Sequence, residues 1–199
     1  YESDGRVRDD LELPGNQAAL VQAVAAANPR TVVVLTNGTP LMMRDWVGQV
    51  PALLEAWYLG DQGGQAVTDV LFGDVNPSGK LPDTLAARRE DYPDFGNYPG
   101  GGGVVKYAEG IFVGYRGFDQ RGVEPLYPFG YGLSYTTFGY SDLKIEPATM
   151  TAKQPVTVSL TVRNTGARAG EEVVQLYVHD PAPKIEKAVR ELKRFARVA

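Results

Sequence analysis

Residues 127–138 read Tyr-Pro-Phe-Gly-Tyr-Gly-Leu-Ser-Tyr-Thr-Thr-Phe, with five aromatics and three turn formers (Pro128, Gly130, Gly132) in twelve positions. Glycine reaches backbone angles closed to other residues, and proline fixes φ. Aromatics supply large buried area per residue. Such a run fits neither a plain helix nor a plain strand. It predicts a rigid, irregular, aromatic-packed segment that clamps two domains together, with Tyr131, Tyr135 and Phe138 mostly buried between them.

The two sides of this segment carry different periodicities. Upstream, residues 16–28 read as a helix with Leu20, Val21, Val24 and Ala27 inward, stopped by Asn28-Pro29. Residues 31–35 (Thr-Val-Val-Val-Leu) form a short β-branched run, the pattern of a strand buried on both faces in a parallel sheet. Residues 52–57 read as a second buried strand, and 63–72 as a helix with Ala66, Val67, Val70 and Leu71 inward, ended by Gly73. This is the rhythm of an α/β layered fold. Residues 76–80 turn the chain into a short edge strand. Residues 91–103 lack periodicity and read as a long surface loop with Gly100–Gly103 at its tip. Ile111–Arg116 reads as strand.

Downstream, Val156, Val158, Leu160 and Val162 alternate with polar residues, and a further strand spans 173–178 after the Asn164-Thr165-Gly166 turn. The pattern is that of a fibronectin type III sandwich. The fold class expected is therefore an α/β layered sandwich (partial) followed by an all-β fibronectin type III-like sandwich (partial). The expected units are 1–90, a loop and aromatic linker over 91–139, and 140–199. Both folded units read as incomplete within the 199 residues.

Composition narrows the function classes. A net charge of −4 and a pI near 5.1 argue against a nucleic acid or an anionic membrane as partner. No apolar run reaches the ~18–20 residues that span a bilayer. With no cysteine, disulfides and thiolate chemistry are excluded; bacterial secreted, periplasmic and cytoplasmic locations all remain compatible. The single histidine, His179, reads as a surface residue of the sandwich. Gly60–Gly64 lacks a phosphate-loop lysine and spacing, and reads as a tight strand–helix turn, which weighs against a nucleotide-binding α/β protein. Neither a metal nor another cofactor is called for.

The carboxylates Glu2, Asp4, Asp9 and Asp10 crowd the first ten residues beside Arg6 and Arg8. One reading is a solvated charge run. The other is a loop that delivers a carboxylic acid to a sugar. Glycoside hydrolysis needs two carboxyl groups, one of them protonated to release the leaving oxygen.

The segment 127–138 closely resembles the PFGYGLSYTxF signature of glycoside hydrolase family 3, the β-glucosidases and β-xylosidases. The opening stretch from Glu2 to Gln17 is similar to the family pattern E-x-E-G-x-D-R-x-x-L-x-L-P-G-x-Q. Asp4 stands where many members carry their acid/base Glu, and Val7 where they carry Asp. Residues 26–35, 56–64, 69–82, 107–116 and 164–178 also match in order.

The resemblance implies a (β/α)8 barrel, then a six-stranded α/β sandwich, then a fibronectin-like domain. This chain would supply the last two in part. It also implies a retaining β-glycosidase, foremost a β-glucosidase, acting on terminal β-linked glucosides or oligosaccharides. A barrel Asp would be the nucleophile, and Asp4 or Glu2 the acid/base. On this reading the segment alone is inactive. The alternative is a non-catalytic carbohydrate-binding or scaffold module derived from the same domains. The loop 91–107 would shape the substrate entrance, with Tyr92, Phe95 and Tyr98 either stacking on sugar faces or packing back on the domain.

Overall fold

The computed structural model describes residues 10–151 and 153–199. Helix α1 (Gln17–Ala27), strand β1 (Val32–Leu35), helix α2 (Arg44–Val47), strand β2 (Ala52–Glu55) and helix α3 (Gly63–Phe72) follow one another. β1 and β2 pair in parallel, Val32 opposite Ala52 and Leu35 opposite Glu55. The short β-branched run forms the strand its composition favours, and Gly63 N–H closes the strand–helix turn onto Gly60 O at 2.9 Å.

The core lies where these elements meet the loop after β1. Leu35, Leu41, Met43, Trp46 and Leu85 form its buried centre, with Ala18, Val21 and Leu53 packed against it. Helix α2, which lacks a readable period in the sequence, places Trp46 there at 2% exposure. A second cluster joins Met42, Ala86 and Phe118 to Leu11, Tyr92 and Val123.

Three expectations for this half need correction. In α1 the buried stripe runs through Ala18, Val21 and Ala25, while Leu20 and Val24 are exposed. The helix is apolar on more than one side, so periodicity alone did not fix which side faces the core. Leu71 and Ala66 of α3 are exposed likewise. β1 is not buried on both faces: Val32 is exposed and burial grows only towards Leu35, because the described sheet has two strands. Ile111–Arg116 is not a strand. Gly110 and Gly114 adopt positive φ and interrupt extension, and helix α4 (Tyr115–Arg121) starts from Gly114 O, which accepts the Gly117 and Phe118 N–H groups.

The second half is all β. Strand β3 (Phe138–Glu146) pairs antiparallel with β4 (Thr157–Asn164), and β5 (Glu172–Val178) with β6 (Glu191–Val198). β4 shows the alternation of its sequence, with Val158, Leu160 and Val162 less exposed than their neighbours.

The segment 127–138 joins the halves, although not by burying its rings. Tyr131 and Tyr135 are exposed, contrary to expectation, and Phe138 is half-buried. The join is made by the backbone and by polar side chains. Residues 81–85 run antiparallel to 127–131: Leu85 and Tyr127 exchange both backbone hydrogen bonds, and Leu81 N–H donates to Tyr131 O at 2.7 Å. Asn76 then accepts from Tyr135 N–H at 2.8 Å and Ser134 Oγ at 2.9 Å, and donates to Ala169 O at 2.9 Å. Lys80 bridges Glu172 on β5 and the Gly132 carbonyl, at 3.0 and 2.8 Å.

Candidate active site

Asp4 and Glu2, the residues the sequence nominates for chemistry, lie outside the described residues. What the structure does place is the stem of their loop. Leu11 O accepts the Met42 N–H at 2.9 Å, and its side chain packs on Met42, Ala86 and Phe118. Leu11 also lines a groove of about 840 Å³.

The groove is built largely by residues 91–114. A single 3₁₀ turn (Arg89–Asp91) starts the segment. The Asp91 carboxylate is almost fully buried and accepts Arg88 N–H at 3.1 Å and Nη2 at 2.8 Å. The Arg88 hydrogen bond holds its carboxyl below the ordinary 3.8 in spite of burial. The Arg121 guanidinium donates to the Asp91 carbonyl, tying the same point to α4. Tyr92 turns inward: its ring meets Phe118 edge-on at 6.0 Å, and its hydroxyl accepts the Ala86 N–H at 3.3 Å. Burial, with smaller contributions from Asp83 and Asp94, pushes that phenol up to about 12.

The other two nominated aromatics behave differently. Phe95 and Tyr98 line the groove and are half exposed, and Tyr107 lines it at 80% exposure. Asn97 donates to Glu109 Oε2 at 3.0 Å, stapling the two arms of the loop. Beneath them lie Asp83 and Thr84. Burial raises the Asp83 carboxyl above 3.8; the Thr84 N–H that it accepts at 2.7 Å opposes the shift, and Asp94 adds to it. The Thr84 hydroxyl is buried with no partner among the described residues.

Sequence reasoning did not single out Asp83, Thr84 or Tyr107. Asp83 and Thr84 stand in a turn-rich stretch with no period, and their place under a loop that begins eight residues later is purely tertiary. Tyr107 carried a signal, an aromatic at the end of a glycine-rich tip. His179 is exposed, with Nδ1 against the Val189 carbonyl, and belongs to the β5–β6 connection, far in sequence from the groove. Among the described residues no cluster of three or more His, Asp or Glu is placed to hold a metal ion.

Comparison with known proteins gives this arrangement a family. Residues 1–135 match the glycosyl hydrolase family 3 C-terminal domain, and residues 172–199 a fibronectin type III-like domain. The whole chain is 46% identical over 203 residues to a probable beta-glucosidase I of Aspergillus terreus, of which it covers 24%. It is 46% identical over 198 residues to thermostable beta-glucosidase B of Acetivibrio thermocellus, of which it covers 26%. The chain thus spans about a quarter of the length of these curated relatives. Among solved structures, the GH3 beta-glucosidase of Bifidobacterium adolescentis superposes with a TM-score of 0.92 at 41% identity, over 98% of this chain and 29% of that one. Beta-glucosidase 3B of Thermotoga neapolitana, in complex with alpha-D-glucose, gives 0.88 at 39% identity, over 97% and 27%. The fold is therefore an α/β layer followed by a fibronectin type III-like unit, and the chain belongs to the glycosyl hydrolase family 3 C-terminal domain family.

Proposed function

We propose that this chain is the C-terminal part of a retaining β-glucosidase and that its opening loop supplies the acid/base carboxyl. The observation that carries the reading is the 46% identity to beta-glucosidases over the whole length of the chain, an alignment that takes in the stretch holding Asp4 and Glu2. The position of the loop stem is consistent with it. Six residues lie between Asp4 and Leu11, a span of at most about 25 Å when fully extended.

In this scheme a nucleophilic Asp on a (β/α)8 barrel portion of the same enzyme attacks the anomeric carbon. The acid from the loop gives its proton to the leaving oxygen, then takes one from the water that releases the glycosyl group. Both terminal β-linked glucosides and oligosaccharides fit that chemistry. The working units are 1–90, 91–139 and 140–199; the parallel β1–β2 pair lies in the first, and the antiparallel β3–β4 pair, from Phe138 onward, lies almost wholly in the last.

General acid assistance is worth ~10²–10⁴-fold and matters most for poor leaving groups. In the assembled enzyme, Asp4→Asn slows alkyl and oligosaccharide glycosides far more than activated aryl glycosides, and azide partly restores turnover of the aryl substrates. The same pattern with Glu2→Gln, and none with Asp4→Asn, assigns the role to Glu2. If neither substitution changes either class, the loop is a solvated charge run and the proposal fails.

A further inference from the structure

We propose that helix α4 is a strut through which the fibronectin type III-like unit positions the stem of the opening loop, with Tyr115, Asp119 and Arg190 as positioning residues. The contacts stand on their own geometry; their consequence for catalysis rests on the reading that the loop carries the acid/base carboxyl.

α4 is seven residues long (Tyr115–Arg121), and its two sides face different halves of the molecule. Residues three and four apart share a side of a helix. Tyr115, Arg116 and Asp119 meet the β5–β6 pair. The Asp119 carboxylate accepts Arg190 Nε at 2.7 Å and Nη2 at 3.0 Å. Such a two-pronged pair fixes orientation as well as distance. The Tyr115 hydroxyl accepts the Leu192 N–H at 2.9 Å. Its ring stacks on Phe129 at 5.1 Å and meets Tyr177 of β5 edge-on at 5.9 Å. Arg116 adds a looser pair with Glu191 at 3.9 Å.

The other side of α4 holds the stem. Phe118, 2% exposed, forms one cluster with Met42 and Ala86, and Leu11 packs against it. Gly117 lies so close to Pro93 and the Phe112 carbonyl that a Cβ would collide with both. The Arg121 guanidinium donates to the Asp91 carbonyl. Seven residues make about two turns, some 10 Å of hydrogen-bonded backbone, too short to bend between its two sides. A shift at Arg190 is therefore felt at Leu11. A misplacement of about 1 Å in a reacting group can cost about 10²-fold in rate, so a hold on Leu11 limits where Asp4 and Glu2 can go.

The test is hydrogen exchange in the assembled enzyme. Arg190→Ala and Tyr115→Phe, which keeps the ring contacts, should each speed exchange at residues 10–12 and 91–93 about two- to fivefold, the scale of one half-exposed ion pair or hydrogen bond. Residues 32–35 and 52–55 should not change. Arg190→Lys, which keeps the charge and loses the fork, should fall between. Lys187→Ala breaks a pair of similar exposure, with Asp180 at 2.7 Å, in the same β5–β6 connection. It should leave residues 10–12 as they were. An unmoved stem overturns the strut. So does an equal rise at 32–35, or the same response to Lys187→Ala, either of which means a general loss of stability.

Kinetics read the consequence. Arg190→Ala should lower kcat on alkyl glucosides about two- to fivefold, with a smaller loss on activated aryl glucosides, and Arg190→Lys should recover part of it. With Asp4 or Glu2 confirmed as the acid, equal loss on both classes, or none, overturns the positioning role. An unmoved stem beside responsive Asp4 or Glu2 variants removes the strut and leaves the acid/base assignment standing. Inert Asp4 and Glu2 variants beside a responsive stem do the reverse.

Discussion

Residues 91–113 and 127–138 are written in the same alphabet, aromatics spaced by glycine and proline, and they end in different physical states. Around the first, backbone hydrogen bonds are local: Phe95 to Tyr92, Asn97 to Asp94 and Phe112 to Glu109 each join residues three apart. The second is tied to distant chain at almost every step, through Leu81 and Leu85, Asn76, and Thr137 O with Thr165 N–H. One leaves its rings available to a groove; the other spans the molecule. Composition dictates that both be irregular. What separates them is whether the backbone has a distant partner, and that decides which can be altered without cost to the fold.

The strongest way to break this contrast is to delete one asparagine from each region. Asn76 makes three hydrogen bonds across the join, to Ser134, Tyr135 and Ala169. At about 1 kcal/mol each, Asn76→Ala should lower stability by about 3 kcal/mol. Asn97 has one such bond, to Glu109, and Asn97→Ala should cost about 1 kcal/mol or less. Urea unfolding of both variants measures the difference; equal losses would mean that the loop is as integral as the clamp.

Glycines sharpen the comparison at a smaller scale. A Cβ at Gly132 would sit 2.1 Å from the Gly79 carbonyl oxygen, and one at Gly100 would sit 2.2 Å from the Val104 carbonyl oxygen. The collisions are nearly the same size, but the first forces apart segments 53 residues distant in sequence and the second only bends the tip of a loop. Gly132→Ala should therefore destabilise globally by about 1–3 kcal/mol. Gly100→Ala, strained further by φ +81°, should leave the thermal midpoint nearly unchanged and show its effect as altered hydrogen exchange at residues 98–106.

Much of the fold was legible in the sequence because its signals are local. The β-branched run 31–35, the alternation of 156–162 and the stop at Gly73 each act through the residue's own backbone. Where the reading failed, the cause was tertiary. Nothing in Arg44–Val47 announces a helix, yet Trp46 is at the centre of the core because Leu35, Leu41 and Leu85 converge there. Leu20 and Val24 have helical spacing but lost the inward side to Ala18, Val21 and Ala25. The candidate site divides the same way. The loop aromatics were visible as residues, whereas the Asp83–Thr84 floor was not, since its partners come from another part of the chain.

Asp83 and Asp91, one beneath the loop and one at its start, offer the finest test, because their environments push in opposite directions. The folded Asp91 carboxyl lies below the ordinary 3.8, chiefly through its Arg88 hydrogen bond. Its stabilisation is complete above 3.8 and is lost as pH falls through the folded value. The folded Asp83 carboxyl lies above 3.8, chiefly through burial, with the Thr84 N–H opposing and Asp94 reinforcing the shift. Ionising Asp83 is therefore harder in the folded state, so stability is lost as pH rises from 3.8 through the folded value, and the penalty persists above it. Asp91→Asn should lower stability at neutral pH and flatten the acid limb of the profile. Asp83→Asn retains an oxygen for the Thr84 N–H and removes the charge. It should raise stability slightly at neutral pH and change nothing below 3.8. Urea unfolding of both variants across the acid range measures the two effects; responses of the same sign at neutral pH would mean that the two carboxyls sit in like environments.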